Sequence, residues 1–438
     1  MDNKLFAGAA QVDISPKDSQ FLFGYPHIER YSTGINDPLL SSALYLSDER
    51  TAAIMVANDI VFVGKKSAQR IRERITAQTG ILAGHIMISA THTHSGPITV
   101  DYISNEADPI VPKTDQKYVA FMEDRIVEAA IAAYKNAQPA RVGLACADST
   151  GIGTNRRDPK GPADMQVPVL LVQNAAGTNS IACMLVCSMH PTVLHEDSKL
   201  VSGDFPAYSR MYLQKHCVDA KCAVLHHTGP AGNQSPRHVT KANTFAEAQR
   251  LGEILGKAVE KVLPTIQFTT SATIQCKQAL LDLPKRTFPD VPTAQKKLDK
   301  AIAQLEYLRT SGAPRQEVRT AECDWFGAEE TLTMAKAAAE GRLSQAYELA
   351  LPAEIQIVKI GPWAFVGWQG ECFVDYALAL KKLFANTFVI SCANGELQGY
   401  IVTEEASNEG GYEASNALLS YKSGDIMVHN STQLLRTM

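Results

Sequence analysis

Three things are scarce in this 438-residue chain: net charge, long apolar runs and paired cysteines. The 42 Lys and Arg nearly balance 46 Asp and Glu, for a formal net charge of −4, and no run of five basic residues occurs that could track a phosphate backbone. Nucleic acid is therefore not an expected partner. No window of eighteen apolar residues exists, which excludes a transmembrane helix as the reading of any segment. The opening, MDNKLFAGAAQVDISP, carries no apolar core of the kind a secretory signal needs, so a cytoplasmic location is expected. The nine cysteines are odd in number, form no C-x-x-C pair and sit mostly in apolar runs such as IACMLVC, and so read as reduced core residues. No repeat or low-complexity tract is present.

What is there is ordinary globular composition, 45% hydrophobic and 7% aromatic, in a chain long enough to bury a large core. Short β-branched runs alternate with amphipathic stretches from about residue 40 to 280, which predicts an α/β fold (mixed α+β), a mixed sheet flanked by helices. Strands are expected at 43–47, 52–60, 85–90, 140–147, 167–173, 181–189, 222–227 and 271–282, and helices at 64–80, 115–136, 204–216 and 242–262. Gly80 suits the position after a helix, and NAAGTN at 174–179 suits a hairpin turn. Between about 288 and 350 the sequence turns charged, Ala-rich and helical, which reads as a helical insertion. Strands resume across 354–368, turned at Gly361-Pro362, followed by a helix and a strand at 387–391. The Gly/Asn/Glu-rich stretch at 404–411 reads as a mobile loop. The whole chain, 1–438, is expected to be one domain.

The residues able to do chemistry cluster after apolar strands. HIMISATHTHSGP (85–97) runs a buried strand into His92-Thr93-His94, and alternation along an extended strand would point both imidazoles the same way, toward a divalent metal. Two exposed polar residues at a strand end would explain the spacing equally well. IACMLVCSMH likewise ends in His190, and Ser202-Gly203-Asp204 follows. LHHTGPAGNQSPRH (225–238) reads as a loop with three histidines, glycines for close approach, and Ser235. Glu371 is placed by the pattern in the first turn of a helix, where the macrodipole favours a carboxylate whether or not it has a further role. Arg156 and the segment from Tyr400 to Tyr412 offer fixed donors for a developing oxyanion.

In order, these segments resemble the neutral/alkaline non-lysosomal ceramidase family. The resemblance rests on GAAQVDISP at 8–16, Gly24-Tyr25, SATHTHSGP at 89–97, Asn155-Arg156, His190-Pro191-Thr192, Ser202-Gly203-Asp204, GNQSP at 232–236, Gly370-Glu371, and Tyr400-Ile401-Val402-Thr403 followed by Tyr412. It implies an α/β catalytic domain with one zinc ion per chain, held by His92, His190, Glu371 and Tyr400. His94, Arg156, Ser235 and Tyr412 would line the substrate side. The implied reaction is hydrolysis of an N-acyl amide bond by metal-activated water, on ceramide or another N-acylated small-molecule or lipid amide. Ser235 lacks a G-x-S-x-G elbow and is assigned substrate contact rather than attack.

Several positions depart from the family's pattern. Pro-Thr-Val-Leu follows His190, Arg-Asp-Pro follows Asn155-Arg156, and Ala406 stands where the family's late motif carries Tyr. The family's C-terminal β-sandwich domain is expected to be absent, and the segment 288–350 to reshape the pocket mouth. These departures concern substrate recognition rather than the metal. A zinc hydrolase of a small polar amide or ester, or a metal-binding protein without catalysis, therefore stand as alternatives.

Overall fold

A computed structural model describes residues 4–438. Eight strands form one mixed sheet: β1 (Phe6–Asp13), β2 (Leu40–Ser47), β3 (Ala52–Asn58), β4 (Ile86–Ala90), β5 (Gln138–Asp148), β6 (Gln166–Asn174), β7 (Ser180–Cys187) and β8 (Ala223–Thr228). Their order across the sheet is β8-β7-β6-β5-β1-β2-β3-β4, parallel only at the β7/β8 and β3/β4 pairs. A second sheet joins β9 (Ile274–Leu281), β10 (Ala353–Ile360), β11 (Trp363–Trp368) and β12 (Thr387–Ile390) in chain order.

Alternation along the strands makes both faces of the large sheet apolar. In β3, Ile54 and Val56 face helices α1 (Lys65–Thr79) and α2 (Gln116–Lys135), whereas Ala53, Met55 and Ala57 share a core with Val358, Phe365 and Ile390 of the second sheet. Helices α3 (Asp204–His216) and α4 (Phe245–Val262) cover the β6–β8 end. A strand buried on both sides reads as a continuous apolar run, which is why β3, β6 and β7 stand out in the sequence. The predicted α1 is present with Gly80 at φ +72°, and the NAAGTN turn is tied by the Asn174 side chain to the amides of Thr178 and Asn179.

The sheet curls until its two edge strands meet. Ser89 Oγ on β4 lies 2.7 Å from His227 Nδ1 on β8, and Thr228 Oγ1 donates to the Thr91 carbonyl at 2.6 Å. The ends of β4 and β7, far apart in strand order, thereby face one another.

Four expectations change. His226 and His227 lie in the buried strand β8, in line with the strand expected at 222–227, so the loop reading of 225–238 holds only beyond Thr228; His227 meets Ser89 where the edges join, while His226, on the other face, packs against Phe205 of α3. The stretch 404–411 is ordered: Thr403 caps a short helix, α9 (Glu404–Glu409), by accepting from the Ala406 amide, and Arg157 reaches Glu409 and the Gly410 carbonyl. Glu371 precedes its helix α8 (Val374–Leu383) and lies instead in a short parallel pairing with Tyr400. The strand β1 escaped the pattern because FAGAAQVD, rich in small residues, is held by its neighbours rather than by its own propensity. The helical reading of 288–350 resolves into α5 (Val291–Thr310), α6 (Arg315–Ala339) and α7 (Leu343–Ala350). Among the described residues no helix is long and apolar enough to cross a membrane.

His226 is fully buried with neither ring nitrogen hydrogen-bonded, and burial, with His227 and Arg210 adding to it, pushes its pKa down to about 3. Unfolded, the imidazole takes up a proton near its ordinary value, so the unfolded chain binds more protons between pH 3 and 6.5 and stability falls as pH drops through that window. His226→Leu should therefore gain on the parent, by roughly 2 kcal/mol, between pH 8 and pH 5 in urea denaturation. An equal difference at the two pH values would show His226 to be solvated in the folded protein.

Candidate metal centre and active site

After β4 the chain does not continue extended. His92 takes the left-handed conformation at φ +67°, so strand alternation is not what brings His92 and His94 together; a tight turn does. That turn is pinned at each step: the His92 amide donates to the Ile60 carbonyl, Thr93 Oγ1 to the Ser202 carbonyl at 2.8 Å, and Arg30 Nη1 to the His94 carbonyl at 2.9 Å. His92 Nε2 then lies 3.3 Å from His94 Nε2 and 3.2 Å from His190 Nε2.

His190 is positioned by the GNQSP segment. Its Nδ1 faces the carbonyls of Ala231 at 2.6 Å and Gln234 at 3.0 Å, while the Gly232 amide donates to the Cys372 carbonyl beside Glu371. A Cβ at Gly232 would come within 2.8 Å of the Glu371 carbonyl oxygen, so glycine is what lets this loop link the two side chains. Glu371 Oε2 lies 2.9 Å from His190 Nε2 and 3.2 Å from His92 Nε2. Ser202-Gly203-Asp204 has a supporting role: the Asp204 carboxylate accepts the amides of Val193 and Leu194, fixing the chain after His190.

These contacts test whether a metal fits. His92 Nδ1 is 2.9 Å from the Val61 carbonyl, so both His92 and His190 have their Nδ1 protons committed to backbone oxygens and turn bare Nε2 lone pairs toward each other. Burial, with Arg156 adding to it, holds His190 down at about 4, and burial with the neighbouring imidazoles holds His94 well below the usual range. Converging neutral nitrogens and a carboxylate repel unless a cation lies between them, and this donor set suits a divalent ion such as zinc.

Around this centre the structure also places Tyr400, Tyr412, Arg156 and Ser235. Tyr400 pairs through its backbone with Glu371, and its ring meets that of Tyr412 edge-on at 5.6 Å. Burial, with the Glu371 carboxylate adding to it, holds the Tyr400 phenol well above its usual range, which keeps it an O–H donor. Arg156 Nε donates to Glu413 at 2.7 Å, and its guanidinium stacks over the Tyr400 ring at 5.2 Å. Ser235 caps a short turn by accepting from the Arg237 amide and lines a small cavity with His94, Arg156 and Tyr412. His94 Nε2 is about as far from His92 Nε2, at 3.3 Å, as His190 Nε2 is, at 3.2 Å, but only His190 also reaches Glu371.

Helix α6 supplies residues that sequence reading missed. Phe326, Glu329 and Glu330 line a cavity of about 80 Å³ shared with His92, Glu371 and Tyr412. His27, at φ +60°, pairs with Glu329 and stacks on Trp325 at 4.9 Å, tying α6 to the loop that carries Gly24. Nothing in the helical texture of 315–339 marks Glu330, because its role depends on which face of α6 meets the site.

Residues 6–227, just over half of the chain, match the family model described as neutral/alkaline non-lysosomal ceramidase, N-terminal. Fold and site thus define an α/β protein with a buried cluster of three histidines that could hold a metal ion. The chain belongs to the neutral/alkaline non-lysosomal ceramidase family. The fold is similar to the crystal structure of neutral ceramidase from Pseudomonas aeruginosa, with a TM-score of 0.75 at 18% identity, covering 98% of this chain and 74% of that one. It is also similar to a structure described as ceramidase complexed with C2, with a TM-score of 0.74, 17% identity and the same coverage. The sequence matches none of the curated proteins.

Two predictions follow from the geometry. Gly24 has φ +119°, and a Cβ there would meet His94 Nδ1 at 2.3 Å, so Gly24→Ala should displace His94 and lower hydrolytic activity on the order of tenfold or more while metal affinity, measured in competition with a chelator, stays near the parent's; a matching loss of affinity would make His94 a ligand instead. Burial, with Glu329 and Glu371 adding to it, pushes Glu330 up to about 8, and its Oε2 has no partner. In the metal-free protein this folded carboxyl keeps its proton where the unfolded chain has lost it, so its stabilising share, present below about pH 4.5, is lost as pH rises towards 8. Denaturation of the parent and Glu330→Gln should accordingly differ most in the parent's favour near pH 5 and least near pH 8.5. A pH-independent difference would place an ionised Glu330 in the folded protein.

Proposed function

We propose that the protein is a zinc-dependent hydrolase of an N-acyl amide bond, with ceramide or another N-acylated lipid as its substrate class. The observation that carries this reading is the facing of His92 and His190 Nε2 at 3.2 Å, with Glu371 Oε2 against both and each Nδ1 bound to a backbone carbonyl. Family membership supplies the reaction class.

In this reading His92, His190 and Glu371 hold the ion, with Tyr400 as a further, weaker oxygen ligand. A divalent metal there supplies Lewis-acid chemistry and activates water for attack on an acyl carbonyl. The chain's own residues do the rest. The Tyr412 hydroxyl, the Arg156 guanidinium and the His94 ring line the cavities beside the centre and are available to the oxyanion that develops on the carbonyl. Glu413 and Tyr400 hold Arg156 in place, and Phe62, 4.8 Å from the His92 ring, helps exclude water. Ser235 contacts substrate.

A second reading, hydrolysis of a small polar amide or ester, is favoured by the size of the cavity, about 80 Å³ against the several hundred that drug-sized ligands fill.

Metal analysis of the purified protein should find about one zinc per chain, lost from folded His92→Ala and Glu371→Ala, with hydrolysis of N-acyl substrates falling on the order of a hundredfold or more in both. A parent that takes up no metal when zinc is supplied would overturn the hydrolase reading. Rates that rise as the acyl chain shortens to a few carbons would favour the small-substrate reading.

A further inference from the structure

Next to the cavity that Glu371 lines, and sharing His94 with it, lies a second cavity of about 70 Å³. Its wall contains three guanidinium groups, of Arg156, Arg237 and Arg319, and no carboxylate. The cavity that contains Glu371 differs: Asp108, Glu329 and Glu330 line it too. The two cavities share Tyr25, His94, Phe326, Tyr400 and Tyr412, so the second cavity adjoins the one that His92 and Glu371 line.

The three arginines are not fully neutralised. Arg156 is more than nine-tenths buried, and while its Nε is held by Glu413, its Nη2 is shut off from solvent without a hydrogen-bond partner. Glu413 also takes Arg157 at 2.9 Å, and Arg157 pairs with Glu409 as well, so the deficit at Arg156 is the open Nη2 rather than a missing carboxylate. Arg237 makes no ion pair among the described residues; its Nη2 reaches only the Cys323 sulfur, at 3.6 Å. Arg319 is balanced by Glu196 at 3.2 Å and by Glu322, both behind the wall. His195, in the same wall, is pushed down to about 3 by burial and by Arg319, so it adds a neutral donor or acceptor. A buried guanidinium N–H left unpaired is costly, and a planar fork of such donors matches the oxygens of a carboxylate or phosphate.

We propose that this arginine-lined cavity binds an anionic oxygen group of the substrate, so that the compound cleaved is an N-acyl amide carrying a carboxylate or phosphate on its amine side. The inference rests on the hydrolase reading above and specifies its substrate. It follows from placement: Arg237 comes from the turn that starts at Ser235, and Arg319 from α6, so the charge is brought to the metal's edge by two segments remote in sequence.

Three dodecanoyl amides that differ only on the amine side provide the test: N-dodecanoylglycine, its neutral primary amide, and N-dodecanoyl phosphoethanolamine. Binding to the metal-free protein is measured by calorimetry, and hydrolysis by the zinc-loaded protein as kcat/KM. At least one anion should bind about tenfold or more tighter than the neutral amide, and the anion-to-neutral ratio should fall about tenfold in each of Arg237→Gln and Arg319→Gln, the size of one lost charge-assisted contact. Preference for the glycine conjugate assigns a carboxylate, and preference for the phosphoethanolamine a phosphate. Equal binding and hydrolysis of all three would overturn the inference and leave the hydrolase reading standing. Anion-selective binding with no hydrolysis of any of them would uphold the cavity's role and overturn the hydrolase reading instead.

Discussion

The closing of the large sheet on itself is the constraint on which the site depends. His92 follows one edge strand and His190 follows the strand next to the opposite edge, 98 residues on, yet their Nε2 atoms meet at 3.2 Å. They do so because β4 and β8 are held together by Ser89 and His227, and by Thr228 and the Thr91 carbonyl. Apolar side chains on the inner face, shared with the second sheet, fill the curl. Curvature of this kind follows from the twist of mixed sheets and the volume they must enclose.

Given the curl, the site is built mostly by backbone. His92 and His190 each spend one nitrogen on main-chain carbonyls, Gly232 lets the 231–234 loop touch the strand of Glu371, and Asp204 anchors the turn after His190. Motifs that look catalytic in the sequence are thus largely scaffolding for three imidazoles and a carboxylate. Such support fixes tautomer and ring orientation, and with them the affinity for a cation.

The helical segment of α5 to α7 gives the site its individuality. It brings Phe326 to both cavities, Glu329 and Glu330 to one and Arg319 to the other, and it presses on the helix that starts at Tyr412 (α10, Tyr412–Asn416), where any side chain at position 327 would collide with Ser415. One acidic and one basic compartment therefore flank the same centre. Burial keeps the carboxyls of the first nearest neutrality at Glu330, while the second keeps guanidiniums that cannot lose their charge.

Much was legible in the chain alone. Doubly buried strands announce themselves as apolar runs, α1 ends where Gly80 ends it, and SATHTHSGP, His190, Glu371 and Tyr400 carried the family resemblance, the histidines among them being those the fold brings together. Local pattern failed where neighbours decide: 404–411 became a capped helix, and His92 turned left-handed rather than extended. Glu330, Arg237 and Arg319 carry no local mark at all. The sequence by itself determined the kinds of element and the donor set, because these depend on periodicity and side-chain chemistry within a few residues. Which donors converge, and which charges surround them, was decided only by the tertiary structure, through the closing of the sheet and the face that α6 presents.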